Sequence, residues 1–507
     1  MIYPIQIVYI YSNVFSFKLW VYYHNEKLFV ADLINLINLI YAIIIYGIQL
    51  YVNNKTYIFT VIYILVELSV ILFTFYPFVV IIFSATIVKG RFFVLSNNSI
   101  SPLQGKNSID IQRENRSLIV KMLMRHKTCT RISLAEMTSL TQAAITKIIS
   151  DLIEYQIIEE IGTRKGSRGR SKILLSLKEN NILLIGVKLA RTSFTTAVFD
   201  ITGRVYVSNH SNIKKTDNPQ KVINHIRKNI HNYLAQYKNI IAIGAAVPGP
   251  FLRFEGRISK MTEFAGWENF NIVEAISNDM PIPVFVEHDA NAGALAEWWF
   301  GEKNPDVLVF LLASEGIGAG IIDHGKLLLG NDGIAGEIGH ISIDMNGRKC
   351  HCAPNKRGCL EQYCSSLSFT RDVIKELPRH PDSILYPLLN SKMTVENVFS
   401  AAKKKDEFAQ SMVDQVAYYF GIGVSSIANI YNPSTIIISD IMTQGGERML
   451  NIIRQTAKEQ MFPPLFDRLH IRYSSLPCDP ILLGAMTVAA EHFLDNPVDF
   501  IRPNLNK

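Results

Sequence analysis

The sequence predicts an α/β protein in which a small helical segment precedes a larger region of alternating strands and helices. From about residue 180 onward, short apolar runs of strand length alternate with longer stretches of helical periodicity. Residues 110–178 instead contain three short amphipathic stretches followed by a basic run with glycines. Residues 1–93 are dominated by Ile, Tyr, Phe, Leu, Val and Asn. These three observations divide the chain into three parts.

The composition sets the broad class of protein. A chain of 507 residues, 48% of them hydrophobic, is long enough to form more than one core. The net charge of +7 is mildly basic. The sequence has no signal peptide with a small-residue cleavage site, and its six cysteines lack any secretory context, which argues against disulfides. We therefore expect a cytoplasmic protein with free or metal-bound thiols.

The apolar extension, residues 1–93, has two interpretations. The runs 28–52 and 57–88 are each long enough to cross a bilayer at about 20 residues per span, and basic residues flank the pair. Alternatively, translated AT-rich DNA ahead of the true start would have this composition, and the acidic residue within each run is costly in lipid. Residues 94–109 are the predicted linker. Membrane association is expected only if the extension is genuine.

Residues 110–178 are predicted to form a winged helix-turn-helix. Ser133 and Glu136 have the spacing of a capping box that opens the second helix. Thr141 is the predicted N-cap of the third helix. The apolar face of that helix comprises Ile145, Ile148, Ile149 and Leu152.

The polar face of the third helix predicts contacts with DNA. Side chains of this kind read base edges when a recognition helix enters the major groove. A short strand and the run 163–172 follow, and five of those ten residues are basic, which suits contacts with phosphates. The predicted DNA-binding residues are Gln142, Thr146, Lys147, Arg164, Lys165, Arg168 and Arg170. The alternative is a small helical domain with a solvated basic loop.

Residues 180–495 are predicted to form the larger α/β domain. Apolar runs bounded by turn residues are typical of strands buried on both faces. The predicted strands are 182–187, 240–247, 284–287, 307–312 and 435–439, and the predicted helices are 218–237, 290–299 and 408–431.

Half of the cysteines lie within ten residues of one another. Cys350, Cys352 and Cys359 follow His340. Three thiolates and one imidazole are the ligands of a closed structural zinc site, and a loop of this length can wrap one ion. We therefore expect one structural Zn²⁺ bound by these four residues. The alternative is a set of thiols that bind no metal.

Carboxylates flank the predicted zinc ligands. Glu337 lies three residues before His340, and Glu361 lies two residues after Cys359. A zinc-bound histidine can present its second ring nitrogen to a ligand, and carboxylates accept hydroxyl protons from a polyol. The run 336–340, Gly-Glu-Ile-Gly-His, together with the cysteine run, resembles the signature of the ROK family (repressors, open reading frames, kinases). The spacer 353–358 is two residues longer than in that family.

The resemblance covers about residues 110–490 and implies a two-lobed, actin-like (ribonuclease H-like) fold. The run 287–292 is similar to the family's V-E-N-D-A-N run, although His288 replaces the usual Asn. Asp289 then stands where the kinases of the family have the base that accepts a proton from a sugar hydroxyl. The resemblance implies a monosaccharide site made of His288, Asp289, Glu337, His340 and Glu361.

The two phosphate loops depart from the family's pattern. Lys188 replaces the Asp of the first loop, and Glu315 adds a carboxylate to the second. Ser439 and Asp440 replace the glycine pair on the adenosine side. A carboxylate beside a γ-phosphate repels it, strongly so in a partly dry site. We therefore expect no ATP binding and no catalytic residue.

Together these features predict a sugar-responsive transcriptional regulator, similar to the repressors of carbohydrate, and in particular xylose, utilisation genes in the family. We expect it to bind operator DNA as a homodimer and to respond to a monosaccharide effector. The alternatives are an ATP-dependent sugar kinase and a membrane-tethered sugar sensor.

Overall fold

The computed structural model describes residues 11–12, 15–16, 106–165, 171–214, 216–259, 266–268, 270–301, 305–390 and 393–505. The chain forms two compact units, Met1–Ser99 and Ile100–Lys507. In the first unit, Tyr11–Ser12 pairs with Phe15–Ser16. The rest of residues 1–93, for which the sequence allows two interpretations, lies outside the described residues. No helix of the described part is long and apolar enough to cross a membrane.

The second unit opens with three helices and a hairpin, in the order predicted for residues 110–178. The helices are α1 (Ser108–His126), α2 (Arg131–Thr138) and α3 (Gln142–Glu154). Strands β1 (Ile158–Lys165) and β2 (Ser171–Leu177) pair antiparallel. Helix α1 begins within the predicted linker, because Asn107 caps it by accepting hydrogen bonds from the amides of Ile109 and Asp110.

The start of α2 corrects one prediction. The capping box lies between Thr130 and Ser133, not between Ser133 and Glu136. The amide of Ser133 donates to Thr130 Oγ1 (3.1 Å), and the amide of Thr130 donates to Ser133 Oγ (2.9 Å). Serine can occupy either end of this motif, which is why the sequence was misread. The Thr141 cap of α3 is as predicted, with the Ala144 amide 3.2 Å from its hydroxyl.

The first lobe is built on a five-stranded sheet. The strands of this lobe are β3 (Leu183–Leu189), β4 (Ser193–Asp200), β5 (Val205–Asn212), β6 (Ile240–Val247), the short pair β7 (Phe251–Leu252) and β8 (Arg257–Ile258), and β9 (Val284–His288). The sheet has the spatial order β9-β6-β3-β4-β5. Strands β3, β4 and β5 form an antiparallel meander, and β6 and β9 extend it as parallel strands.

The second lobe repeats this topology. Its sheet has the order β12-β11-β10-β13-β14, again a meander followed by two parallel strands. The strands are β10 (Val307–Ala313), β11 (Ile317–Asp323), β12 (Lys326–Leu327), β13 (Thr435–Ser439) and β14 (His470–Tyr473). The predicted two-lobed α/β architecture is therefore confirmed.

Eleven further helices surround these sheets in the described residues. They are α4 (Pro219–Gln236), α5 (Ile272–Ser277), α6 (Asp289–Phe300), α7 (Glu361–Cys364), α8 (Ser366–Glu376), α9 (Val395–Lys403), α10 (Glu407–Tyr431), α11 (Gly446–Gln460), α12 (Pro463–Phe466), α13 (Pro480–Asp495) and α14 (Pro497–Leu505). Helix α13 packs on β3 and β6, helix α6 packs on β10 and β11, and the two helices pack on each other. They therefore form the layer between the sheets.

The layer between the sheets is packed backbone against backbone. A Cβ atom on Gly244 of β6 would lie 1.8 Å from the carbonyl oxygen of Ala485 in α13. A Cβ atom on Gly484 of α13 would lie 2.1 Å from the carbonyl oxygen of Ala292 in α6. Any side chain at these positions would push the elements apart. Helix α13 is thus in direct backbone contact both with α6 and with the first sheet.

The core of the helical segment continues into the first lobe. Ile119 of α1 and Ile149 of α3 belong to the same buried cluster as Phe199 of β4 and Phe493 of α13. A separate cluster fills the second lobe, where α10 is the longest helix described. The three N-terminal helices are therefore packed onto the α/β region through apolar contacts.

Candidate functional site

A cluster of four side chains that could bind a metal ion lies in the second lobe. His340 ends the short turn Ile338–His340, and Cys359 lies just before α7. Cys350 Sγ is 3.9 Å from His340 Nδ1, Cys352 Sγ is 3.8 Å from Cys359 Sγ, and all four ligand atoms lie within 4.8 Å of one another. Tetrahedral zinc with Zn–S bonds of about 2.3 Å requires sulfurs about 3.8 Å apart. The cluster is compatible with a structural zinc ion.

The loop that carries the thiols is closed by backbone hydrogen bonds. The amide of Cys350 donates to the carbonyl of Lys356 (2.9 Å), and the amide of Lys356 donates to that of Ala353 (3.2 Å). Gly358 has a φ of 70°, and a Cβ there would lie 1.7 Å from the carbonyl oxygen of Asp344. The longer spacer therefore forms an ordered turn that leaves the four ligand atoms together.

The thiolate form of this cluster is disfavoured when no cation is bound. Burial raises the pKa of Cys359 to about 12, and the neighbouring thiols of Cys350 and Cys352 add to the rise. A bound dication stabilises thiolates and reverses this effect. Cys364 differs, since its buried sulfur lies 3.8 Å from the carbonyl oxygen of Val416 and outside the cluster.

The first predicted sugar residues lie at the start of α6. Asp289 is the first residue of that helix, and its Oδ1 lies 3.1 Å from His288 Nε2. Burial raises the pKa of Asp289, while the charges of His288, Lys188 and Arg191 oppose the rise. The His288 ring occupies the space beside Gly249, where a Cβ atom would lie 2.2 Å from Nε2. The loop after β6 therefore holds the imidazole against Asp289.

The other three predicted sugar residues surround the same space. Burial raises the pKa of Glu337; the charges of His288 and His340 lower it, and those of Asp289 and Glu361 raise it. Glu361 also accepts a hydrogen bond from the amide of Ile317 (3.1 Å), at the turn between β10 and β11. The structure thus brings all five predicted residues together around the Glu337 carboxyl, next to the thiol cluster.

The sequence did not indicate which residues orient His288 and Asp289. Glu287 Oε1 accepts hydrogen bonds from the His288 amide (2.9 Å) and from Asn291 Nδ2 (3.1 Å). The other carboxylate oxygen pairs with Arg253, which follows β7. Glu287 is 2% exposed, so its charge depends on that partner. A buried ion pair between residues 34 positions apart therefore fixes the turn that presents His288 and Asp289. The V-E-H-D run marked the turn but gave no signal for Arg253.

The predicted phosphate loops face each other between the two lobes, and we call this region the phosphate side of the interlobe cleft. Ion pairs here join residues that lie far apart in the chain. Lys188 Nζ is 2.6 Å from Asp479 Oδ2. The other oxygen of Asp479 caps α13, with the amides of Ile481 and Leu482 at 2.9 and 3.1 Å. Arg191 Nε, in the β3–β4 turn, is 3.6 Å from Glu315 Oε2, in the β10–β11 turn. The second pair connects the two lobes directly.

Asp440 follows β13 on this side of the cleft. Burial raises its pKa, Lys188 lowers it, and Asp479 and Asp289 raise it, so these four groups lie near one another. Its φ of 68° lies in the left-handed region that favours glycine. The backbone conformation is thus that of the glycine expected here, but the side chain is an acid.

Comparison with known proteins identifies the family. The ROK family profile matches residues 184–492. The chain belongs to the ROK family. It is 27% identical over 390 residues to the xylose repressor of Bacillus spizizenii, which covers 76% of this chain and 97% of the repressor. It is 28% identical over 374 residues to the DNA-binding transcriptional dual regulator NagC of Escherichia coli K12, which covers 73% of this chain and 91% of NagC.

Solved ROK structures share the fold. A ROK family transcriptional regulator, a homologue of the E. coli MLC protein, superposes with a TM-score of 0.67 and 27% identity, over 78% of this chain and 100% of that one. A ROK family glucokinase from Streptomyces griseus, in complex with glucose and AMPPNP, gives a TM-score of 0.55 and 24% identity, over 61% of this chain and 99% of that one. The second likeness concerns the fold alone.

The predicted DNA-binding residues of this ROK chain lie on α3 and the hairpin. Gln142, Thr146 and Lys147 are exposed on α3, opposite the buried Ile145, Ile148, Ile149 and Leu152. Arg164 and Lys165 end β1, opposite Lys172 and Ser171 of β2. The predicted contacts Arg168 and Arg170 lie outside the described residues.

Proposed function

We propose that this protein is a sugar-responsive, DNA-binding transcriptional regulator, a repressor of sugar-utilisation genes. The supporting observation is the extent of its similarity. The regulator structure covers 78% of the chain, whereas the glucokinase covers 61%. The ROK profile matches only from residue 184 onward, and the additional share has about the length of the described segment that precedes it. That segment contains α1, α2, α3 and the β1–β2 hairpin.

The proposed DNA interface is the exposed face of α3 with the adjacent hairpin. The apolar residues of α3 are buried against α1 and α2, which leaves Gln142, Thr146 and Lys147 facing outward. A recognition helix with this division presents short polar and basic side chains to base edges. Arg164 and Lys165 stand at the end of β1, where a wing reaches the phosphates.

The interface is tested with variants of the two elements. Lys147→Ala should weaken binding mainly to duplexes that wild-type protein enriches from a random-sequence pool. Lys165→Ala should weaken binding to all duplexes, and the salt dependence of its affinity should show about one counterion fewer released on binding. Lys404→Ala, exposed in the second lobe, is the control. Unchanged affinity and unchanged salt dependence in both interface variants would exclude this surface.

We propose that a monosaccharide binds where the five sugar residues meet. The carboxyls of Asp289, Glu337 and Glu361 supply hydrogen-bond acceptors, and the imidazoles of His288 and His340 supply donors or acceptors. One relative named above is a xylose repressor, and the N-acetylglucosamine repressor of Escherichia coli O6:H1 is likewise 28% identical over 374 residues. D-xylose and N-acetyl-D-glucosamine are therefore the first candidates.

Calorimetric titration combined with a DNA mobility-shift assay tests this site. One sugar from a panel of pentoses, hexoses and N-acetylhexosamines should bind the full chain and lower its affinity for the enriched duplex. If no sugar of the panel changes DNA affinity, the proposed function is wrong.

We propose that His340, Cys350, Cys352 and Cys359 bind one structural Zn²⁺. The ligand set, the 3.8–3.9 Å spacings and the buried thiols of Cys350 and Cys359 support this. A bound ion would hold the His340 ring beside Glu337 and fix the start of α7, which carries Glu361. Elemental analysis of purified protein should give one zinc per chain.

We propose that the protein is not a kinase. The positions that would face a triphosphate form protein ion pairs, Lys188–Asp479 and Arg191–Glu315, and Asp440 adds a further acid. A sugar kinase is the second candidate, favoured by the position of Asp289 at the start of α6. ADP release with sugar and Mg-ATP should stay at background. Release that disappears in Asp289→Asn would instead support the kinase.

We propose that the regulator acts as a homodimer on a two-fold symmetric operator. A single winged helix contacts only one half-site, so two copies are needed for a specific site of ordinary affinity. Sedimentation of the DNA complex should give two chains per duplex. One chain per enriched duplex at saturation would contradict this arrangement.

A further inference from the structure

We propose that α6 and α13 transmit the state of the sugar site to the DNA-binding segment, through a joint where their C-terminal ends meet α1. We define this joint by Arg125 and Lys121 of α1, Trp298 and Trp299 of α6, and Glu491 and Asp495 of α13. The proposal rests on the proposed function and specifies how that site is coupled to DNA.

Helix α6 connects the proposed sugar site directly to the joint. It begins at Asp289 in the sugar site and ends at Phe300, and Trp298 lies in its last turn. Twelve residues of α-helix span about 18 Å. A helix of this length is stiff, so a shift or rotation that a ligand imposes on Asp289 reaches Trp298 without intermediate side chains.

At the joint, Trp298 contacts both α1 and a turn of the second lobe. The guanidinium carbon of Arg125 lies over its ring at 5.3 Å from the centroid. On the ring's edge, Gly325 of the β11–β12 turn has a φ of 80°, and a Cβ there would lie 3.2 Å from Trp298 Cζ2. Trp298 therefore touches both α1 and the second lobe. A movement between the lobes changes the surroundings of the residue on which α1 rests.

Helix α13 runs between the same two regions. Asp479 caps its first turn and holds Lys188 in the cleft. At its other end, Asp495 Oδ1 lies 2.6 Å from Lys121 Nζ of α1. Trp299 Nε1 donates to Glu491 Oε1 (2.9 Å), which connects the C-terminal turns of α6 and α13. Both helices therefore begin in the cleft and end at α1.

Two further properties favour transmission over local relaxation. The backbones of α6 and α13 are in contact at Gly484 and Ala292, so the pair cannot absorb a displacement by repacking side chains. The apolar cluster that joins α1 to α13 is continuous, so α1 stays attached while its angle changes. A cation–π contact weakens beyond about 6 Å, so the 5.3 Å contact of Arg125 is sensitive to a small rotation.

The test compares two arginines on α1. Arg125→Gln removes the guanidinium from Trp298. Arg113→Gln removes one of the same type that pairs with Asp499 at 3.5 Å, on a surface where both side chains are about half exposed. For each full-length variant, the dissociation constant of the enriched duplex is measured without sugar and with a saturating concentration of the sugar that acts most strongly on wild-type protein. The ratio of the two constants measures the coupling.

We expect Arg125→Gln to keep sugar affinity within two-fold of wild type but to reduce the coupling ratio at least five-fold. Arg125→Lys, which restores a cation over the ring, should recover part of it, and Arg113→Gln should keep the wild-type ratio. Hydrogen exchange across α1 gives a second readout, in which the sugar-dependent change should disappear in Arg125→Gln alone.

The outcomes separate the two proposals. If wild-type protein shows no sugar-dependent change in DNA affinity, the proposed function fails. If wild-type protein responds and Arg125→Gln responds with the same ratio and the same exchange pattern, the joint is excluded while the function stands. If Arg125→Gln unfolds, Trp298→Phe serves as the second variant, because it keeps an aromatic face on α6. Trp298→Phe must then reduce the ratio of the two dissociation constants. An unchanged ratio in that variant also excludes the joint.

Discussion

The two sides of the interlobe cleft balance their charges in opposite ways. On the sugar side, the carboxyls of Asp289 and Glu337 are buried with raised pKa values, and the His288 imidazole lies 3.1 Å from Asp289. On the phosphate side, Lys188 and Arg191 each pair with an acid, Asp479 and Glu315. Acceptors with incomplete partners can bind a ligand's hydroxyl groups, whereas ion-paired groups are already satisfied. The difference supports the proposal that one side of the cleft binds a ligand while the other forms contacts within the chain.

The largest expected effect follows loss of a thiol beside the sugar side. Cys352→Ser should abolish stoichiometric zinc and melt the loop before Glu361, because structural zinc sites stabilise their loops directly. Elemental analysis and limited proteolysis of residues 340–361 measure this. Cys478→Ser, which changes a thiol outside the cluster, is the control and should retain one zinc. Full zinc occupancy in Cys352→Ser would count against the assignment.

The second largest effect is expected when the carboxylate acceptors Glu337 and Asp289 are changed. Glu337→Gln or Asp289→Asn should weaken sugar binding ten-fold or more, since a hydrogen bond to a charged group contributes about 1.5–3 kcal/mol. DNA binding without sugar should persist, because α3 and the hairpin are separate elements. Asp332→Asn, exposed in the preceding loop, is the matched control. A normal sugar response in both cleft variants would remove the site from consideration.

A third prediction uses pH to distinguish the two sides. The pKa of Asp289 is raised in the folded protein, so folding favours its protonated form, and stability falls as pH rises through that raised value. Asp289→Asn removes this penalty. As pH rises above the ordinary range of an aspartate carboxyl, and without sugar, the variant should gain melting temperature relative to wild type. Parallel curves for the two proteins would show that the carboxyl has its ordinary pKa.

On the phosphate side the expected energies are smaller. Lys188 and Asp479 are 22% and 41% exposed, and pairs of this kind contribute about 0–1 kcal/mol. A double-mutant cycle with Lys188→Gln and Asp479→Asn should give a coupling in that range. Sugar affinity should stay within about two-fold of wild type. A ten-fold loss of sugar affinity in Lys188→Gln would show that the two sides are not independent.

The smallest effect is expected at Asp440. Its left-handed φ costs an L-residue about 1–2 kcal/mol, which is partly offset by the extra chain entropy that glycine loses on folding. Asp440→Gly should therefore change stability by less than about 1 kcal/mol, in the stabilising direction. Asp332→Gly, at a position without positive φ, should destabilise slightly. A destabilised Asp440→Gly would mean that the carboxylate itself contributes to the cleft.

Several features could be predicted from the sequence because they depend on neighbours in the chain. The cysteine run places His340 and three thiols close enough that a loop with ordinary turns brings them together. The parallel strands and their helices were found from apolar periodicity, and β6 and β13 were predicted with the bounds that the structure has. Motifs similar to those of the ROK family predicted five sugar-binding residues, and the structure brings these five residues together.

Other strands were missed because their patterns are weak. Strand β5 is mostly exposed, and β11 contains Gly318 and Gly320, so neither forms a continuous apolar run. Strand β14 has only four residues. These strands depend on hydrogen bonds to neighbouring strands rather than on local propensity, which is the usual reason that strand assignment depends on context.

The sequence alone determined the family resemblance, the candidate metal ligands and the predicted sugar residues, because each belongs to a motif of a few residues. Only the tertiary structure decided which distant groups meet: Lys188 with Asp479, Arg253 with Glu287, and Arg125 with Trp298. These pairs form where two independently patterned elements pack. Their geometry is set by backbone contacts such as Gly484 on Ala292, and no local periodicity encodes that.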